Sequence, residues 1–153
     1  MAVEQTSHIH SLVLPESLYL EAKIHGDAAG STVTQFIRSH LKLKRYIDQL
    51  RLEAFNRGKP PLRLAVGTEV LTDVDLLMAQ YQGSPDHLFT LSLPHTEFEG
   101  VKLMAGRTGT DPTKYVRMSM VFGVQIEKMA WAQGGVSINL PISIGETNFL
   151  FIY

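Results

Sequence analysis

The stretch that decides the fold reads IHSLVLP, from Ile9 to Pro15, and Glu16 follows it. The β-branched residues Ile9 and Val13 favour an extended backbone. Proline is well tolerated at the first position of a helix, because an amide N–H would have no partner there. The stretch therefore predicts a strand over Ile9–Leu14 that leads into a helix beginning at Pro15.

The first predicted helix extends to about Ala29 and carries apolar residues on two opposite sides. At 100° per residue, one side holds Leu18, Ala22 and Ala29, and the other holds Leu20, Ile24 and Ala28. A helix that is apolar on two sides needs cover on both. We therefore expect other parts of the chain, or a second chain, to pack against each side.

A second, longer helix follows a glycine turn. Gly30 suits the left-handed conformation at a helix end, and Thr32 with Gln35 three residues later has the spacing of a capping box. Apolar residues then form one stripe, namely Phe36, Leu43, Ile47, Leu50 and Ala54. This pattern predicts a helix of roughly 24 residues, about 36 Å long, which ends at the sequence Gly58–Pro61.

This order of strand, proline-started helix, glycine turn and capped helix resembles the ribbon-helix-helix family of the Arc and Met repressors. The resemblance covers about the first third of the chain and rests on Leu12, Leu14-Pro15, Leu18, Gly30-Ser31, Val33 and Phe36-Ile37. It implies that strands of two protomers pair into an antiparallel ribbon that enters the DNA major groove. We therefore expect a homodimer or higher homo-oligomer. A lone protomer whose own later strands cover Leu12 and Leu14 would contradict this repressor-like hypothesis.

The resemblance also implies which residues contact DNA. They are Ile9, Ser11 and Val13 on the outward face of the strand, and Ser31, Thr32 and Val33 at the start of the second helix. The charge distribution adds a candidate phosphate patch at Arg38, Lys42 and Arg45, in a basic run without acidic residues. On the strand, only Ser11 can hydrogen-bond a base edge, whereas Ile9 and Val13 are limited to thymine methyl groups. The basic run is equally consistent with an ordinary solvated helix face.

Composition sets further limits on function. The 153 residues include 14 Lys and Arg against 15 Asp and Glu, for a formal charge of −1, which does not by itself indicate a nucleic-acid binder. The lack of cysteine excludes disulfides, thiolate chemistry and cysteine-ligated zinc. Without a signal-peptide pattern or a long apolar run, we expect a soluble, cytoplasmic protein that does not contact a membrane.

The sequence Gly58–Pro61 also predicts a domain boundary, with an N-terminal domain over 1–58 and a C-terminal domain over 59–153. Beyond it the apolar residues alternate, most clearly from Val116 to Glu127, which is typical of half-buried strands. Other predicted strands are 62–66, 88–93, 101–105, 136–144 and 149–153, with one short helix after Thr72. The predicted fold class is α+β, with a dimeric ribbon-helix-helix domain followed by a β-rich antiparallel meander.

No pattern in the sequence indicates catalysis. The loop Gly106–Pro112 lacks the Lys-Ser/Thr ending of a phosphate-binding loop. A metal site built from His87, His95, Glu97 and Glu99 is the alternative we considered, but Pro94 interrupts the strand between the two histidines. We expect no enzyme activity, no cofactor and no metal.

Two hypotheses of function remain. In the first, the protein is a homodimeric DNA-binding regulator of the repressor, antitoxin or mobile-element accessory type, and its C-terminal domain senses, oligomerises or binds a protein partner. In the second, the ribbon core only dimerises a protein-interaction or structural module. Binding to duplex DNA that weakens steeply with salt is expected only in the first case.

Overall fold

The computed structural model describes residues 6–60, 62–71, 77–134, 141–145 and 147–150, with side chains described for 12–60, 62–71, 77–134 and 142–145. In chain order the elements are β1 (Thr6–Pro15), α1 (Glu16–Ala28), α2 (Val33–Asn56), β2 (Leu64–Val66), β3 (Glu69–Val70), a 3-10 helix (Ala79–Tyr81), β4 (Asp86–Pro94), α3 (His95–Arg107), α4 (Pro112–Ala132), β5 (Pro141–Ile144) and β6 (Thr147–Leu150).

The first part of the chain folds as its sequence predicts. A strand leads into α1, Gly30 adopts a φ of 72°, and the side chain of Thr32 accepts a hydrogen bond from the Gln35 amide at 3.1 Å. The α2 helix has 24 residues and ends shortly before Gly58. One expectation is wrong: Leu20 and Ile24, on the second apolar side of α1, are 48% and 55% exposed.

The β-rich C-terminal domain is contradicted by two long helices. The predicted strand 101–105 lies within α3, and the alternating stretch from Val116 to Glu127 lies within α4. In α4 the residues Tyr115, Val116, Ser119, Met120, Val121, Phe122, Gly123, Val124, Ile126 and Glu127 are all buried. A helix surrounded on most sides carries apolar residues at even as well as helical spacings, so its period is easily mistaken for that of a strand.

The second set of elements repeats the first. The helices α1 and α3 have the same length and a constant offset, because 95 − 16 and 107 − 28 both equal 79. The same offset relates Pro15 to Pro94, Gly30 to Gly109 and the caps Thr32 to Asp111. It also relates buried pairs, which are Leu12/Leu91, Leu14/Leu93, Phe36/Tyr115, Ile37/Val116, Leu41/Met120 and Ile47/Ile126. One chain therefore contains two strand-helix-helix units, over 6–56 and 86–132.

The strands of the two units pair with each other. The antiparallel pairing of β1 with β4 places Leu12 opposite Phe89 and Leu14 opposite His87. Leu12, Leu14, Leu91 and Leu93 are all 0% exposed within one chain. The predicted need for a second protomer is therefore wrong, since the chain supplies both strands of the ribbon and all four helices that cover it.

A second, four-stranded sheet has the order β3-β2-β5-β6, with all neighbours antiparallel. It is not a meander, because β5 pairs with β2 across a long insertion. One core cluster joins this sheet to α2 and α4 and consists of Leu43, Ile47, Leu64, Val66, Phe122, Ile126, Met129, Ala130, Ile142 and Ile144. The sheet thus packs against the helix pair in a core separate from that of the ribbon.

Several smaller predictions have mixed outcomes. The strands predicted at 62–66 and 88–93 are present as β2 and β4, and the short helix predicted after Thr72 falls partly on 72–76, outside the described residues. The loop predicted over Gly106–Pro112 begins later, because Gly106 and Arg107 still belong to α3.

The intrachain ribbon predicts that stability does not depend on protein concentration. An obligate dimer gains about 2.7 kcal/mol in apparent stability over a roughly hundredfold rise in concentration. We expect urea unfolding curves recorded across that range to superimpose, as monitored by circular dichroism. A midpoint that rises with concentration would mean that a second chain completes the fold.

Candidate functional site

The candidate site is the outward face of the β1–β4 ribbon. Alternate residues of a strand point to opposite faces, and the inward leucines are fully buried. On the outward side, Val13 is partly buried and pairs with Leu88, which is 69% exposed, and Thr90 is exposed. None of these three side chains is charged, but Asp86, which follows the same alternation at the start of β4, is exposed and acidic.

The predicted outward residues of β1 meet an irregularity in the pairing. Ile9 pairs with Leu91 and Leu12 with Phe89, so three steps along β1 match two along β4. Such a bulge adds one residue to β1 and interrupts the alternation of faces. Of the predicted trio, Val13 is outward, whereas the side chains of Ile9 and Ser11 lie outside the described residues.

The two longer helices, α2 and α4, occupy equivalent positions in the two strand-helix-helix units, but their N-termini differ. Thr32 caps α2, where no acidic residue lies in the first turn, and the Ser31 hydroxyl donates to the Gly26 carbonyl at 3.3 Å. Asp111 caps α4, with its carboxylate accepting from the Lys114 amide at 2.8 Å. A helix N-terminus attracts anions, so the uncharged cap of α2 is the more favourable of the two for phosphate.

The predicted basic patch contacts the second unit. Arg38 forms an ion pair with Glu97 of α3, with 3.3 Å between Nε and Oε2. The guanidinium of Arg45 lies against Gly100, where a Cβ atom would collide with it. Lys42 is exposed, and the side chain of Arg38 is 41% exposed although it is paired. Two of the predicted phosphate contacts therefore hold α2 against α3.

A buried polar group lies between α2 and α4. Lys44 pairs with Asp48 at 2.7 Å, and the Tyr115 hydroxyl donates to the same Asp48 carboxylate at 2.6 Å. The Lys44 ammonium also lies 4.5 Å from the centre of the Tyr115 ring. Burial, together with the Asp48 carboxylate, raises the pKa of Tyr115 above its ordinary value. The hydroxyl thus remains a donor, as the contact with Asp48 requires.

A second buried polar contact involves Glu127, the residue of the second unit that corresponds to Asp48. His40 Nε2 is 3.4 Å from Glu127 Oε1, and His40 Nδ1 is 2.9 Å from the Phe36 carbonyl. The His40 ring occupies space that Gly123 leaves open, since a Cβ at Gly123 would lie 2.5 Å from the ring carbon Cγ. This close approach requires glycine at position 123.

His25 is the third buried polar residue of this region. It is 5% exposed, and its ring plane is inclined at 60° to that of Trp131 with 4.3 Å between ring centres. Its Nδ1 has no hydrogen-bond partner among the described residues. Burial lowers the pKa of His25 below its ordinary value of 6.5, and the carboxylates of Glu127 and Glu21 only partly oppose this shift. The imidazole is therefore held in its neutral form.

The residues considered for a metal do not assemble into a site. His87 stacks on Tyr19 with 3.8 Å between ring centres, and Glu97 pairs with Arg38. Within the described part of the chain, no three His, Asp or Glu side chains are grouped closely enough to hold a metal ion.

The ribbon residues that sequence reasoning missed are Leu88 and Thr90. The signal for them was present as a repeat: Leu12-Val13-Leu14-Pro15 returns 79 residues later as Leu91-Ser92-Leu93-Pro94. A glycine and a helix cap then follow at matching distances in both halves. Comparing the chain with itself would have indicated the second strand of the ribbon.

The close approach of His40 to Gly123 predicts opposite effects for two glycine substitutions in helices. We expect Gly123→Ala to lower the free energy of unfolding by about 1–3 kcal/mol, because the added methyl group overpacks the interface. Gly106→Ala is the matched control, since a Cβ there meets nothing within 4 Å. It should be neutral or stabilise by up to about 1 kcal/mol. Equal changes in the free energy of unfolding for the two variants, measured by urea titration, would contradict the close approach of His40 to Gly123.

The neutral state of His25 predicts a pH dependence of stability. As pH falls below about 6.5, the unfolded chain takes up a proton that folded His25 resists, so the free energy of unfolding decreases. We expect a smaller decrease in His25→Met, which introduces the residue found at the equivalent position, Met104. Urea titrations between about pH 7.5 and 5 test this difference. Identical slopes for both proteins would contradict it.

Comparison with known proteins gives no assignment for the chain. No family model, no curated protein and no solved structure matches it. Among the described residues, no helix is both long and apolar enough to cross a membrane. Hypotheses about function therefore depend on the ribbon and the helices that carry it.

Proposed function

We propose that the protein is a DNA-binding regulator, of the repressor, antitoxin or mobile-element accessory type, in which a single chain provides the complete ribbon. In this proposal the ribbon-helix-helix resemblance extends to both strand-helix-helix units. The two-chain form of the hypothesis is contradicted, because the chain's own β4 covers Leu12 and Leu14. The single-chain form proposed here keeps the antiparallel ribbon, since that covering strand belongs to the second strand-helix-helix unit. The homodimer predicted from the sequence is not needed for binding.

The observation that carries this proposal is the pairing of β1 with β4 at the same end of two equivalent units. A two-stranded antiparallel ribbon fits the width of the major groove. Leu88 and Thr90 on the outward face of this ribbon are exposed, so that face is accessible at these two residues. The four helices all lie behind the ribbon and bury its opposite, leucine-rich face.

The side chains of the outward face suit a limited form of base recognition. The Thr90 hydroxyl can donate to or accept from a base edge, while Val13 and Leu88 can contact a thymine methyl group. Ser11 and Ile9 remain proposed contacts on the first strand. No guanidinium or amide among the described outward residues supplies the bidentate contacts that discriminate bases most strongly.

Phosphate contacts in this proposal come mainly from the start of α2. The amides around Ser31, Thr32 and Val33 carry the partial positive charge of the helix terminus, and Lys42 is exposed on the same helix. Arg45 would first have to leave Gly100 of α3, whereas Arg38 would only exchange a partly exposed ion pair with Glu97 for one with a phosphate. We therefore expect fewer phosphate contacts, and a shallower salt dependence, than a strongly basic DNA-binding protein would give.

A second candidate function, a protein-interaction module, is favoured by one observation. Leu88 is 69% exposed directly opposite Val13, so the ribbon presents an adjacent aliphatic pair. A protein partner would bury these side chains through apolar contact, with little dependence on salt. The two candidate functions predict different effects of a charge at position 88 on the affinity for duplex DNA.

Substitution of Leu88 with residues of opposite charge tests the proposal. In fluorescence anisotropy with a labelled nonspecific duplex, we expect Leu88→Lys to strengthen binding and Leu88→Glu to weaken it, each by about 3- to 10-fold at low salt. A charge near the phosphates acts through attraction or repulsion. The two variants lose the same apolar contact and differ mainly in sign of charge.

The control uses Val70, which is 53% exposed on β3 of the other sheet. Val70→Lys and Val70→Glu add the same charges away from the ribbon, so they should change the affinity for duplex little. If the unmodified protein showed no salt-sensitive binding to the duplex, the DNA-binding proposal would be contradicted. Equal weakening of duplex binding by both Leu88 variants would mean that the ribbon does not face the phosphates, which would contradict the proposed docking.

A further inference from the structure

A cavity of about 180 Å³ lies at the end of the ribbon, where both strand-helix-helix units and the segment that connects them meet. Its apolar lining includes Leu14, Leu18, Met78 and Val121. A dry apolar cavity of about 150 Å³ is large enough to hold benzene. The cavity therefore has room for a compact molecule of about that size.

Arg117 of α4 is the cation of this cavity. Its Nε atom is buried and has no hydrogen-bond partner among the described residues, and its Nη1 reaches the Val13 carbonyl only at 3.5 Å. Because that Nε has almost no accessible surface, a ligand in the cavity reaches the guanidinium through its terminal amino groups. Arg117 forms no ion pair with a described residue, so a carboxylate in the cavity would give it charge-assisted hydrogen bonds that the chain itself does not supply.

The other polar groups of the lining restrict the charge of that anion. The Tyr81 hydroxyl already donates to Glu21 at 2.8 Å, so it is not free to donate to a ligand. Asp86 is exposed, lines the same cavity, and forms no ion pair with Arg117 within 4.0 Å. Its carboxylate repels any anion in the cavity, and it repels a dicarboxylate more strongly than a monocarboxylate. The lining thus accepts at most one carboxylate, at Arg117, with an apolar remainder.

We propose that this cavity binds a small monocarboxylate, whose carboxylate pairs with Arg117 and whose aliphatic or aromatic body packs against Leu14, Leu18, Met78 and Val121. The site is independent of whether the ribbon binds DNA. It lies beneath the segment Val13–Pro15 of β1 and beside Asp86 of β4, so it is built from both halves of the ribbon's end.

Three six-carbon probes test the chemistry of the site by isothermal titration calorimetry. Hexanoate should bind with a measurable heat at millimolar concentration. We expect 1-hexanol, which lacks the carboxylate, and adipate, which carries a second one, to bind about tenfold more weakly or not at all. Failure of hexanoate to bind the folded protein, or equal binding of hexanoate and hexanol, would overturn the proposal.

Variants locate the binding within the structure. Arg117→Gln removes the cation and should weaken hexanoate binding about tenfold, whereas Arg63→Gln, at an exposed arginine that does not line this cavity, should leave it unchanged. Met78→Trp should block the cavity from its partly exposed side without removing Arg117. Circular dichroism confirms that each variant is folded. Unchanged hexanoate affinity in folded Arg117→Gln and Met78→Trp would place the binding elsewhere and overturn the proposal.

Discussion

The antiparallel pairing of β1 with β4 is the constraint on which the rest of the structure depends. It joins segments more than 70 residues apart in sequence and buries four leucines, two from each strand. Closing such a long loop costs conformational entropy, which the burial of apolar side chains has to offset. The helices α1 and α3 then begin directly after Pro15 and Pro94, so the pairing also sets where each of them starts.

The helices α2 and α4 carry this arrangement from the ribbon to the second sheet. Their ribbon-proximal residues, such as Phe36 and Tyr115, belong to the first core, and Ile47 and Ile126 belong to the second. Two buried polar contacts lie between these cores, one around Asp48 and one around Glu127. Buried charges are costly unless paired, so these contacts restrict how α2 and α4 can be aligned.

The first unit could be predicted from the sequence because its local signals agree. Pro15, Gly30 and the Thr32 cap all mark the boundaries that the structure has. The second unit was misassigned because α4 is buried on most of its surface and its apolar residues at even positions imitate a strand. Its cap at Asp111-Pro112 lies within the stretch predicted as a loop. The cavity at Arg117 depends on three distant segments, and no local pattern indicates it.

The contact between His40 and Gly123 shows what a covalent duplication permits. Gly123 occupies the position that corresponds to Lys44, so one site in the repeat holds a glycine in one half and a lysine in the other. In an assembly of two identical chains, every mutation appears twice, and a residue cannot be small on one side of the axis and long on the other. A fused pair is free of that restriction. Each half can therefore carry its own residue at an equivalent interior position, as Lys44 and Gly123 do here.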